Sequence, residues 1–146
     1  MAVHRRPPPL RYRTLALALA LLCSACGAGH TEQANNGQIC SLYSSGQGGV
    51  EVIGQGTVLA VLGTREGRSG QHEGFLLRLH QQCDLMVRVE TNVDITGPVP
   101  VRDGEIVTVK GQFENDPMGG VIHWTHHDPR GRHVSGYVEA GGKLYQ

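Results

Sequence analysis

Between Val50 and Glu114 the chain holds four apolar-rich segments, of which Cys83 to Thr91 and Glu105 to Glu114 alternate apolar and polar residues with a period of two, the spacing of half-buried strands. Val50 to Leu62 (VEVIGQGTVLAVL) is rich in β-branched residues and is interrupted by Gly54 and Gly56. Glycines inside a strand mark a bulge or sharp bend, as a long strand needs when it coils around a small barrel. Gly63 to Gly70 reads as a charged, glycine-rich loop, and His72 to Leu79 as a second strand. In Cys83 to Thr91, Leu85, Val87 and Val89 alternate against Met86, Arg88 and Glu90, which predicts a third strand. Pro98 and Pro100 exclude a helix or central strand from the long connection Asn92 to Gly104. Glu105 to Glu114 then places Val107, Val109, Gly111 and Phe113 on one face. No stretch keeps a helical period. The pattern predicts an all-β domain over residues 50–146, a small OB-like barrel of five to six strands, with a β-sandwich as the alternative.

The most distinctive stretch is Gly119 to His133 (GGVIHWTHHDPRGRH), which holds the only tryptophan and half of the eight histidines. Asp128-Pro129-Arg130-Gly131 carries the residue preferences of a type I turn. A three-residue hairpin loop with Gly131 in the left-handed position sets His127 opposite His133, His126 opposite Val134 and Trp124 opposite Gly136. One face then carries Ile122, Trp124, His126, Val134, Gly136 and Val138. The other carries His123, Thr125, His127, His133, Ser135 and Tyr137, a polar surface that is the candidate binding face. Trp124 is expected to point inward.

Residues 1–25 read as a secretory signal. Arg5, Arg6, Arg11 and Arg13 form a basic start, and Leu15 to Leu22 is far shorter than the ~20 residues of a bilayer span. Cys26, following small residues, resembles the processing site of a bacterial lipoprotein and is the expected lipidation site. This implies export across the inner membrane and a lipid-anchored place in the periplasm or cell envelope. Residues 26–49 are small and polar and read as a tether. Without residues 1–25 the chain has nine Lys+Arg against 13 Asp+Glu, a net charge of −4 with neutral histidines. An acidic balance argues against a general nucleic-acid binder. Cys40 and Cys83 remain after processing, and two cysteines in an oxidising compartment read as one disulfide.

From about Gly54 to Gln146 the chain resembles a bacterial family known as domain of unknown function 3465. The resemblance rests on Gly54-Gln55-Gly56-Thr57-Val58, His72 with Phe75, Asn92 with Asp94, the run Gly119 to Pro129, and the Tyr145-Gln146 ending. Members of that family typically begin with a signal or lipoprotein segment. They usually carry a histidine just before the asparagine, where this chain has Thr91. The resemblance implies no activity.

Function must come from the residues. His127 and His133, with Cβ atoms roughly 5 Å apart if cross-strand partners, are near enough to share a divalent metal. His123 lies roughly 13 Å along the strand and cannot join them, so His72 or Asp94 would supply the third ligand. No nucleophile elbow, carboxylate pair or zincin motif is present. The expectation is therefore a binding or structural module of the envelope with no required cofactor, meeting the membrane through its lipid. Its partner would be a glycan or an envelope protein. The rival expectation is a metal-dependent hydrolase, of nuclease or phosphoesterase type, built on the histidines.

Overall fold

In the computed structural model, which describes Met1 and residues 32–146, β1 (Val50–Gly67) is the spine. It pairs antiparallel with β2 (Gly70–Leu79) along one edge and with β4 (Ile106–Glu114) along the other. β3 (Met86–Asn92) pairs with β2, and the short β5 (Val121–His123) bridges β3 and β4, parallel to the first and antiparallel to the second. The order β1-β2-β3-β5-β4 therefore closes on β1, giving the five-stranded ring of an OB-like barrel. The all-β expectation holds, and the sandwich alternative falls.

The inside of the ring is filled by alternate residues of each strand. Val52, Val58, Phe75, Leu77, Val87, Val89, Val107, Val109, Phe113, Ile122 and Val138 are all buried. Gly54 and Gly56 let β1 coil through this crowd. A Cβ on Gly54 would sit 2.8 Å from the Ile39 side chain, and one on Gly56 would collide with the carbonyl of Arg78. Register shifts on β1 between Val58 and Ala60, and between Val61 and Gly63, bend it further. The expected loop at Gly63 to Gly70 is mostly strand: the β1–β2 hairpin runs on to Gly67 and turns at Arg68-Ser69.

Two helices were not expected. α1 (Asn36–Ser45) occupies what the sequence presented as tether, so the fold begins well before Val50. Asn35 caps its start by accepting from the Gln38 N–H, and Gly46 ends it in the left-handed conformation. Its Ile39 and Leu42 are buried in the core. The Asn36 side chain donates to the Gln55 and His80 carbonyls and accepts from the Gln55 N–H. Cys40 is disulfide-bonded to Cys83, as expected, with Cα atoms 6.2 Å apart. α2 (Val93–Thr96) is a single turn after β3, capped by Asn92. The expected signal segment, Cys26 and most of the residues before α1 lie outside the described residues.

The C-terminal stretch departs most from expectation. Ile122 pairs with Phe113 of β4, and Val138 of β6 (Tyr137–Ala140) pairs with Val109 of the same strand. Thus β5 and β6 lie along one edge of β4, and residues 124–136 leave that edge as a loop beside Gly111. The ends of the stretch pair with β4, not with each other, because that arrangement buries Ile122 and Val138 completely. β7 (Lys143–Tyr145) then pairs back on β6.

Candidate binding cleft

The loop 124–136 is pinched at its base by glycines. A Cβ on Gly111 would meet the carbonyl of His123, and one on Gly136 those of Trp124 and Lys110. The Gly136 N–H donates to the His126 carbonyl at 2.9 Å. Thr125 is fully buried, and its hydroxyl donates to the Glu90 carbonyl at 3.0 Å, tying the loop to β3.

Asp128 organises the far end of the loop. Its Oδ1 accepts from the Arg130 N–H at 2.8 Å, and its Oδ2 accepts from the N–H groups of Arg132 and His133. Burial works against ionisation, but these three donors and the nearby His133 ring outweigh it and hold the carboxyl at about 2. The turn expected at Asp128 is present, with the Gly131 N–H donating to the Asp128 carbonyl.

Between base and turn the rings gather. The indole of Trp124 stacks on His133, centroids 4.8 Å apart and 16° from parallel, and His123 lies tilted against the same indole at 4.7 Å. His126 meets His133 edge-on at 5.0 Å. Trp124 adopts a left-handed backbone with φ 55°, a conformation that a bulky side chain rarely takes. Burial pushes His126 and His123 below the usual histidine range; Glu114, 3.8 Å from His123, opposes this only partly. Both rings are therefore neutral at pH 7.

The tautomers follow from the partners. Nδ1 of His126 meets the His127 carbonyl at 2.7 Å, Nδ1 of His133 the Val134 carbonyl at 2.8 Å, and Nδ1 of His72 the Gly70 carbonyl at 2.9 Å. A carbonyl can only accept, so in each case Nδ1 carries the proton, and Nε2 of a neutral ring presents a lone pair. Nε2 of His72 lies 3.2 Å from the Ser69 hydroxyl.

The opposite wall is the β1–β2 tip and the end of β3. Asn92 donates to the Ser69 carbonyl at 2.8 Å, and Asp94 accepts from the Gln71 N–H at 2.9 Å, so both clip the tip in place. Between the walls lies a cleft of about 820 Å³, lined by His72, His123, Trp124, His126 and His133, with Arg68, Arg130 and Arg132 at its edges.

A family profile described as a protein of unknown function (DUF3465) matches residues 20–146. The chain belongs to this family. No curated protein and no solved structure matches it. For this DUF3465 chain the cleft gathers several of the residues on which the sequence resemblance rests: His72, Asn92, Asp94, His123, Trp124, His126, Asp128 and Pro129. Thr91, where the family usually has histidine, is fully buried beside the cleft, its hydroxyl without a hydrogen-bond partner among the described residues.

The polar face expected from a hairpin register does not form. His126, not His127, is the ring beside His133, because the chain turns out of the β4 edge at Trp124 and the alternation of faces is lost there. Of the six proposed binding residues, His123 and His133 line the cleft. Thr125 is buried, His127 points to solvent, Ser135 accepts the Asp128 N–H at 3.3 Å, and Tyr137 pairs with Lys110 on β4. Trp124 is 37 % exposed, not inward. The proposed metal trio His127, His133 and His72 is not assembled, since only the last two share the cleft. The sequence reading missed His126 and the three arginines. Arg68 sat in an apparent loop, and Arg130 and Arg132 were absorbed into a turn.

Proposed function

We propose that this protein is a binding module of the bacterial envelope, exported and held by lipid on Cys26, whose barrel presents the cleft to a hydroxyl-rich ligand of the glycan class. The observation that carries the reading is Trp124. Its bulky side chain is kept in a left-handed conformation at the mouth of the cleft, stacked on His133 and half-open to solvent. Backbone strain of this kind persists only where the surroundings over-determine it, and it collects at ligand sites. An exposed indole supports stacking of a sugar face, and the Nε2 lone pair of the neutral His126 ring accepts from a hydroxyl. The volume falls in the range of small-ligand sites, roughly 300–1,000 Å³.

NMR titration of the protein with hydrolysed envelope polysaccharide tests the cleft. Saturable amide shifts should cluster at residues 68–72, 90–95 and 123–133 and spare β6 and β7. No shifts, or shifts spread over the whole barrel, would refute the reading. Cys26→Ser should move the protein from the membrane fraction to the soluble envelope fraction, and unchanged fractionation would remove the anchor.

A metal-dependent hydrolase is the second reading, favoured by the imidazoles of His126 and His133 meeting edge-on with centroids 5.0 Å apart. It ranks second because, among the described residues, no three His, Cys, Asp or Glu side chains are grouped to hold an ion. A stoichiometric metal in the purified protein would reverse the order.

A further inference from the structure

The charges around the cleft go beyond a neutral glycan. Glu90 accepts from Arg65 and lies 3.0 Å from the Arg88 guanidinium, so one carboxylate already meets two cations. Asp94 is engaged by the Gln71 N–H, and Asp128 by three backbone N–H groups. The acids of the cleft are thus satisfied from within. Its arginines are not. Arg68, Arg130 and Arg132 take part in none of the ion pairs among the described residues, although residues 32–146 hold only nine Lys+Arg against 13 Asp+Glu. A third of the basic side chains of an acidic chain therefore stand unpaired around one cavity, Arg68 on the hairpin wall and the other two on the loop wall.

Resting on the cleft reading above, we propose that the ligand is a phosphorylated sugar, its phosphoryl group held between Arg68 and the Arg130–Arg132 turn and its hydroxyls directed at the histidines. A guanidinium presents a planar fork of donors that matches phosphate oxygens two at a time, and it stays charged at any relevant pH. Neutral imidazoles beside it supply acceptors for sugar hydroxyls, which an imidazolium could not. Trp124 offers its face to the ring between them. The acidic remainder of the chain repels an extended polyanion, so a ligand with one or two phosphates fits better than a nucleic-acid strand. The same chemistry occurs in phosphorylated envelope glycans and in nucleotides.

The sole tryptophan of the chain reports binding directly. Protein purified in neutral detergent is titrated with glucose 1-phosphate, AMP, glucose and adenosine while Trp124 fluorescence is followed. At least one phosphorylated compound should give a saturable change, weakened several-fold by raising the salt, while its unphosphorylated parent does not at the same concentration. A response to glucose 1-phosphate supports a glycan source, and one to AMP alone a nucleotide. Arg68→Gln and Arg132→Gln, both exposed positions, should each weaken binding about tenfold with an unchanged circular dichroism spectrum. Equal responses to glucose and glucose 1-phosphate would overturn the phosphate site while keeping the cleft. Phosphorylated-ligand binding that survives both arginine variants would overturn it as well. Silence from all four compounds would reject the proposal, and the polysaccharide titration above would then decide the cleft by itself.

Discussion

Trp124 and His133 lie face to face, ring centroids 4.8 Å apart, although they are nine positions apart along a loop with no regular secondary structure. The stack costs an unfavourable backbone at Trp124 and leaves the indole 37 % exposed. It is a surface fixture and not a core one. Trp124→Ala should therefore destabilise by only about 1 kcal/mol, the range of an aromatic pair. Phe113→Ala, from the fully buried set, should cost about 3–5 kcal/mol. Because φ at position 124 is positive, Trp124→Gly should be at least as stable as Trp124→Ala, reversing the usual order of the two residues. Denaturant midpoints of the three variants check this, and a Trp124→Ala cost matching that of Phe113→Ala would place the indole in the core after all.

The barrel was legible because its signal is repeated. Alternating residues in β1, β2, β3 and β4 each point to one interior, and Gly54 and Gly56 announce the coil of β1. α1 was hidden because only Ile39, Leu42 and Tyr43 are its apolar residues, too few for a period; Asn35 and Gly46 were its readable caps. The cleft was half-legible. The histidine stretch stood out by composition, but its register depended on which strand Ile122 and Val138 would choose. The alternation suits a hairpin with itself and pairing with β4 equally well. Only the burial gained at Phe113 and Val109 separates them, and that is a long-range fact.

Histidine burial gives stability a pH dependence of defined sign. His123 and His126 have folded-state values below the ordinary 6.5, chiefly through burial. The unfolded chain therefore takes up protons first as pH falls. Stability from these rings is complete above about 6.5 and declines as pH drops from there towards their lowered folded values. Thermal melts at pH 7.5 and 5.5 should show the loss, and His126→Gln should shrink it. A wild-type protein that melts identically at both values would contradict the assignment.

The Cys40–Cys83 bond ties α1 to the connection between β2 and β3, across a sequence separation of 43 residues. Loop-entropy reasoning gives roughly 4 kcal/mol for such a link, an upper figure. Cys83→Ala should lower the melting temperature and loosen α1 first, since Ile39 and Leu42 are its main hold on the core. Hydrogen exchange at residues 36–45 would then accelerate more than at β4. In the mature Cys26→Ser protein, thiol titration should find no reactive group, and finding two would refute the bridge.

Asp128 joins the turn to the stack, because the N–H it accepts from His133 belongs to the residue on which Trp124 rests. Both carboxylate oxygens are used, Oδ1 by Arg130 and Oδ2 by Arg132 and His133. Asparagine offers one acceptor oxygen and turns an NH₂ towards the remaining donors, so Asp128→Asn cannot satisfy both sets. The amides of Arg130, Arg132 and His133 should exchange faster in that variant, and Trp124 fluorescence should move towards that of a freely solvated indole. The acid titration has an equally definite sign. The carboxyl is lowered from 3.8 to about 2, so its hold on the turn is complete above the ordinary value and disappears only as pH falls through about 2. Amide shifts of Arg132 and His133, followed by NMR through the acid range, should show their midpoint there. A midpoint at the ordinary 3.8 would mean that the three N–H groups do not converge on Asp128, and the wall of the cleft that carries His133 would lose its support.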